Sequence, residues 1–154
     1  MQNVSNRCVF CEIAAARAPA SFVYQDPKLM APMDARPASL GYTLVAPKEH
    51  WRNILEVPAA LDMQIFALVQ DMARAINEAF QPAGLNIVQN NGRAALQSVP
   101  HLHVHLIPRY AGNELSDVLT ALISRRRREM PSRDSLDGTA KKIAERLRHS
   151  QTFA

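Results

Sequence analysis

The stretch from Pro58 to Phe80 limits the fold of this chain more than any other. Leu61, Ile65, Leu68, Val69, Met72, Ile76 and Phe80 recur at helical spacing, with Asp62, Asp71, Arg74 and Glu78 mostly opposite. A helix with one apolar stripe has to bury it, and the segments around this one read as short strands. Ser21 to Gln25 and Lys28 to Met33 form a hairpin about the turn-forming Asp26-Pro27. Leu40 to Ala46 is a third strand, closed by Pro47, which delivers Lys48, Glu49 and His50 to its end. Gly84 to Gln89 and Leu102 to Ile107 are the last two, joined by a polar loop that opens with Asn90-Asn91-Gly92. The helix is therefore expected to cover one face of a sheet.

Two further helical regions flank this unit. Cys8 to Arg17 reads as a short helix with Val9, Phe10 and Ile13 on one side and Pro19 just beyond its end. After Pro108 the chain is polar and helix-prone. Leu115 to Arg128 and Thr139 to Arg148 are the candidates there, separated by the breaker-rich stretch Pro131 to Gly138. The expected class is α+β: a small antiparallel sheet with one long helix packed on it, a short N-terminal helix and a C-terminal helical tail.

Composition narrows the setting. With 154 residues, 47% hydrophobic and 21% charged, the chain fits one domain, and neither wholesale disorder nor a fibrous repeat agrees with it. No uncharged apolar run approaches the roughly 18 residues that a membrane helix needs. The polar start, Met1 to Arg7, lacks the apolar stretch of a secretory signal, so the cytoplasm is the expected location and no membrane partner is expected. A formal charge of +4 suits anionic ligands and is small for a dedicated nucleic-acid binder.

The strongest chemical signal is His101-Leu-His-Val-His-Leu-Ile-Pro108. Side chains alternate across a strand, so His101, His103 and His105 share one face while Leu102, Val104 and Leu106 pack into the other. Imidazole is both the commonest metal ligand and, near neutral pH, a good nucleophile and proton carrier. Gln97, Ser98 and Asn90-Asn91-Gly92 just upstream offer donors for phosphate oxygens without a carboxylate to repel them, which favours phosphate chemistry over peptide hydrolysis. Without the histidines these would be ordinary turn residues. The two cysteines, Cys8 and Cys11, form a single C-x-x-C, which suggests metal or redox chemistry rather than a disulfide framework. A thioredoxin-like redox pair normally follows a strand, and only the polar Met1 to Arg7 precedes this one, so redox is the weaker reading.

At this point the sequence resembles the histidine triad (HIT) family, whose hallmark is His-x-His-x-His followed by an apolar pair. The resemblance runs through Cys8 to Ile13, Asp34 to His50, Gly84 to Gly92 and His101 to Tyr110, in the family's order and over about two thirds of the chain. It implies one HIT-like domain over 1–154, with 7–110 as the motif-bearing core and 111–154 as a C-terminal helical extension. It also implies a homodimer and a nucleotidyl hydrolase or transferase acting at the α-phosphate of a nucleoside phosphoramidate or dinucleoside polyphosphate. A purine nucleotide is the expected substrate, and no catalytic metal is used.

The implied roles fall residue by residue. His103 matches the nucleophile that forms a nucleotidyl-imidazole intermediate, and His105 the residue that hydrogen-bonds the phosphate or bridging atom. Asn90, Gln97 and Ser98 match the phosphate-contacting loop, where fixed donors stabilise developing charge. Asp34 matches the residue that holds the ribose hydroxyls, and Val9, Phe10 and Ile13 match the apolar wall over the base. Some bacterial-type members bind zinc through such a C-x-x-C and two histidines, which here implies Cys8, Cys11, His50 and His101 around a closed structural zinc.

This sequence also departs from the family pattern. Tyr42 stands where a further histidine is usual, and a phenol with an ordinary pKa near 10 cannot shuttle protons as imidazole does. Pro32 and Ala35 replace bulkier apolar residues near the base, and Leu96 replaces a common glycine. A zinc-stabilised nucleotide-binding regulatory module with little turnover is the alternative that Tyr42 favours. Arg109 and Tyr110 either reach toward a polyphosphate or close the strand end. Arg125 to Arg128 reads as a solvated helix face, since the interleaved aromatics of an RNA-stacking platform are missing.

Overall fold

The computed structural model describes residues 8–112 and 129–151. Helix α1 (Val9–Ala14) is followed by strands β1 (Phe22–Gln25), β2 (Leu29–Pro32) and β3 (Thr43–Pro47). The long helix α2 (Ala59–Phe80) leads to β4 (Gly84–Gln89) and β5 (Val104–Arg109), and α3 (Arg133–Gln151) ends the described chain. The sheet order is β1-β2-β3-β5-β4, antiparallel throughout. This is the α+β architecture expected from the sequence.

Local chemistry explains most boundaries. Asp26 Oδ1 accepts bonds from the N–H groups of Lys28 and Leu29, each at 2.7 Å, which makes Asp26-Pro27 the turn of the β1–β2 hairpin. The stripe of α2 buries Ile65, Leu68, Val69, Met72 and Ile76 against Leu29, Val45, Val104 and Leu106 of the sheet and Leu136, Ala140 and Ile143 of α3. Each such side chain, once buried, contributes about 1.5–3 kcal/mol. The other face of the sheet holds Met30, Leu44, Ala46 and Ile107 under Phe10 of α1. Strand β5 lies between β3 and β4 and carries one row of side chains into each layer.

Three expectations need correction. The third strand begins at Thr43 instead of Leu40, because Tyr42 N–H bonds back to Ser39 at 3.2 Å through Gly41 at φ +85°. A Cβ at Gly41 would sit 3.1 Å from the Phe80 ring, so that turn needs glycine for both its dihedral and its space. The last strand begins at Val104 instead of Leu102 and continues through Pro108 to Arg109. Its pairing with β3 ends at Thr43↔Leu106, so Pro108 falls where only β4 flanks the strand. The C-terminal helix starts at Arg133 instead of Thr139. Ser132 Oγ caps it by accepting from Ser135 N–H at 3.2 Å, and Gly138 is carried within it. The candidate helix Leu115 to Arg128, with its arginine run, lies outside the described residues. Among the described residues no helix is long and apolar enough to cross a membrane.

Candidate functional site

The alternation read from the triad holds, and its consequence goes further than one exposed row. Leu102, Val104 and Leu106 join the core beneath α2. The histidines occupy the opposite layer, yet His101, His103 and His105 are all buried, at 0%, 3% and 5% exposure. Phe10 of α1 covers them, its ring centroid 4.8 Å from that of His103 and 5.2 Å from that of His101.

Burial obliges each imidazole to place its protons. His103 Nδ1 lies 2.6 Å from the carbonyl oxygen of His101. A carbonyl only accepts, so Nδ1 carries the proton and Nε2 the lone pair. His101 is the mirror case, for its Nε2–H donates to the Pro47 carbonyl at 2.8 Å and the lone pair stays on Nδ1. Burial pushes the His101 pKa down to about 4, against the opposing pull of that bond, so the ring is neutral at physiological pH. His105 Nδ1 lies 2.7 Å from the hydroxyl of Tyr42, itself 1% exposed. With the phenol as donor, His105 keeps its proton on Nε2. The rings of His103 and His105 are 4.7 Å apart, which makes adjacent positions a lone pair and an N–H donor.

On the far side of His101 four donor atoms converge. One ligand atom from each of Cys8, Cys11, His50 and His101 lies within 4.8 Å of all the others. His101 Nδ1 is 3.3 Å from Cys8 Sγ, 3.7 Å from Cys11 Sγ and 3.2 Å from His50 Nδ1. Two sulfurs and two imidazole nitrogens facing one point, with a lone pair already fixed on Nδ1, form a donor set that could hold a metal ion. Burial first, then the adjacent Cys8 thiol, push the Cys11 thiol up to about 11, a cost that a bound cation would reverse. Among the four, His50 is exposed and comes from just beyond β3, while the cysteines start α1.

The loop between β4 and β5 places its residues unevenly. Asn90 is half-buried and Ser98 exposed. Gln97 is buried, and its amide is committed to the chain itself: Oε1 accepts from Gly92 N–H at 2.7 Å, and Nε2 donates to the Arg52 carbonyl at 2.6 Å. Its side chain therefore holds the loop in shape, with one of its two Nε2–H donors given to Arg52. Leu96, at the usual glycine position, adopts φ +67°. Arg109 reaches Asn86 Oδ1 at 3.2 Å and Tyr110 the Leu40 carbonyl at 2.9 Å, so both close the strand end.

Phe10, which packs on His101 and His103, also lines a cavity of about 390 Å³. Val9, Phe10, Ile13 and Asp34 all line it, as do Pro32 and Ala35. Asp34 is 2% exposed and accepts Arg36 N–H on Oδ1 at 2.8 Å, which fixes the carboxylate at the wall. Sequence reasoning missed the opposite wall of Met130, Pro131, Arg133 and Leu136, because nothing in a polar, breaker-rich tail shows that it folds back over β1.

Comparison with known proteins agrees with this geometry. The HIT domain family model matches residues 15–112. Protein hit of Bacillus subtilis is 44% identical over 106 residues, which covers 69% of this chain and 73% of the relative. Adenosine 5′-monophosphoramidase hnt1 of Schizosaccharomyces pombe is 36% identical over 102 residues, covering 66% of this chain and 74% of its own. The crystal structure of a Zn-bound histidine triad family protein from Mycobacterium smegmatis superposes with a TM-score of 0.77 at 31% identity, covering 96% of this chain and 98% of the other.

Proposed function

Because this chain belongs to the HIT domain family, we propose that it is a hydrolase that cleaves at the α-phosphate of nucleoside phosphoramidates or dinucleoside polyphosphates. His103 Nε2 attacks phosphorus, a P–Nε2 bond forms, and the bond to the leaving group breaks as that group departs with the electron pair. Water then attacks the nucleotidyl-imidazole, and the nucleoside monophosphate leaves with His103 restored. His105 presents its Nε2–H to the phosphate or leaving atom. Asn90 and Ser98 supply donors at the loop, which Gln97 holds in shape. Asp34 takes the ribose hydroxyls, and Val9, Phe10 and Ile13 wall the base.

The observation that carries this reading is the 2.6 Å bond from His103 Nδ1–H to the His101 carbonyl, which puts the nucleophilic lone pair on Nε2. The same carbonyl stabilises the positive charge that the ring gains on attack. A resident zinc ion would be held by Cys8, Cys11, His50 and His101, and would supply structural cross-linking with no open coordination position. The Zn-bound relative supports this assignment. His101 then serves twice, since its ring holds the ion and its backbone oxygen orients the nucleophile. Packing of α3 on α2 and β1 supports a single domain over the chain. The β4 edge, with Ile87 48% exposed, supports a homodimer. A cytoplasmic location completes the reading.

The test is to incubate the protein with an adenosine 5′-phosphoramidate, a dinucleoside tetraphosphate and a nucleotide sugar. Nucleoside monophosphate is expected from at least one of the first two. Its absence from all three, with binding retained, would favour a zinc-stabilised nucleotide-binding regulatory module, the alternative raised by Tyr42 standing where a further histidine is usual.

A further inference from the structure

The walls of the cavity that Phe10 lines come from two separate parts of the chain. One is α1 with Asp34. The other is the entry into α3, beyond residue 112, where the family match ends. Resting on the nucleotide reading above, we propose that Arg133 reads the edge of the nucleobase and makes the site select guanine over adenine nucleotides.

The guanidinium is held at the cavity and not merely near it. Arg133 Nη1 donates to Ser21 Oγ at 3.0 Å, and Ser21, 3% exposed, lines the same cavity. Ser21 is itself fixed, for its carbonyl accepts Met33 N–H at 2.8 Å. The anchor of the arginine is therefore rigid, and only one of its five N–H donors is used in this bond. The other cation of the cavity, Arg36, is two residues from Asp34 and bonds Asp34 Oδ1 through its backbone N–H, so its main chain belongs to the end of the cavity assigned to the ribose. Much of the remaining wall is apolar, including Val9, Phe10, Ile13 and Met130. Base discrimination thus falls to a group that donates and cannot accept.

That chemistry is one-sided. Guanine presents N7 and O6 on one edge, two acceptors that match the guanidinium fork, whereas adenine sets an N6 amine beside N7 and turns a donor toward the arginine. Binding of each purine by the apolar wall is the same, so the difference between them measures Arg133.

Calorimetric titration of the full chain with guanosine and adenosine 5′-monophosphate tests this. The native protein should bind the guanosine nucleotide about tenfold or more tightly. Arg133→Met keeps the length of the side chain without donors, and should bring the two affinities to within about threefold by weakening the guanosine nucleotide alone. Arg133→Lys keeps the charge and lacks the fork, and should lose the preference too. Melting temperature follows the fold in parallel, since Leu136, Ala140 and Ile143 anchor α3 without Arg133. Equal binding of both purines by the native protein, a preference that survives Arg133→Met, or equal weakening of both nucleotides in that variant would overturn the proposal. Failure of the native protein to bind either nucleotide would instead overturn the nucleotide reading, and this proposal with it.

Discussion

Replacing Tyr42 by Phe deletes one oxygen from the interior and should separate two effects. The hydroxyl lies 2.7 Å from His105 Nδ1, between residues that are 1% and 5% exposed. Removing one partner of a buried bond costs about 1–3 kcal/mol, and in a chain of this size each kcal/mol lowers the melting temperature by about 2–4 °C. A fall of roughly 2–12 °C is therefore expected by calorimetry or fluorescence melting. The catalytic effect has a different origin. The phenol biases His105 to keep its proton on Nε2, and a bias of about 1.4 kcal/mol is about tenfold in the population of that tautomer. Turnover of substrates with poor leaving groups should fall by about that factor, while good leaving groups, which need no proton, change little. Tyr42→His restores a titratable partner and should raise the rate for poor leaving groups more than for good ones. An unchanged melting temperature in Tyr42→Phe, or the same rate ratio between leaving groups in all three proteins, would refute the reasoning.

The metal site gives two more expectations. Protein purified under reducing conditions should contain close to one zinc per chain by metal analysis, and Cys8→Ala should lose it and melt at lower temperature while the chemical step slows less than stability falls. In the metal-free form, His101 is depressed to about 4 in the folded chain against an ordinary 6.5, so the unfolded state binds more protons in between. Stability should be full above about pH 6.5 and fall by about 3 kcal/mol on acidification toward pH 4, measured by urea unfolding. A flat profile across that window would show that His101 is not buried neutral.

Elements with a strong period or a plain turn signal, such as α2 and the hairpin about Asp26-Pro27, were legible in the sequence, and those set by an unmarked turn or by the tail were not. Gly84 to Gln89 is a strand as read, and α2 starts one residue after Pro58, because its stripe has no breaker within it. The start of β3 is hidden in the sequence, since Leu40, Gly41 and Tyr42 look like strand residues while the chain is still turning at Gly41. The four metal-site residues were found from their chemistry and the family resemblance, although they are separated by up to 93 positions. The partner of His105 was not legible, because an unusual residue at a family position shows a departure and not what replaces it. That Gln97 bridges Gly92 and the Arg52 carbonyl was not legible either, because Arg52 is 45 positions away and only the folded loop brings it near. The wall from Met130 to Leu136 was invisible, since its start signal, the Ser132 cap, lies inside a stretch rich in breakers.

The proposed chemistry stands on His103 Nε2 as the nucleophile. Rapid quenching without acid during turnover of a nucleoside phosphoramidate, followed by peptide mass spectrometry, tests it directly, because a phosphorus–nitrogen bond survives only away from acid. A nucleotidyl group is expected on His103, formed before monophosphate is released and absent from His103→Ala, whose nucleotide affinity stays within about tenfold. Release of monophosphate with no adduct, or an adduct on His101 or His105, would contradict it.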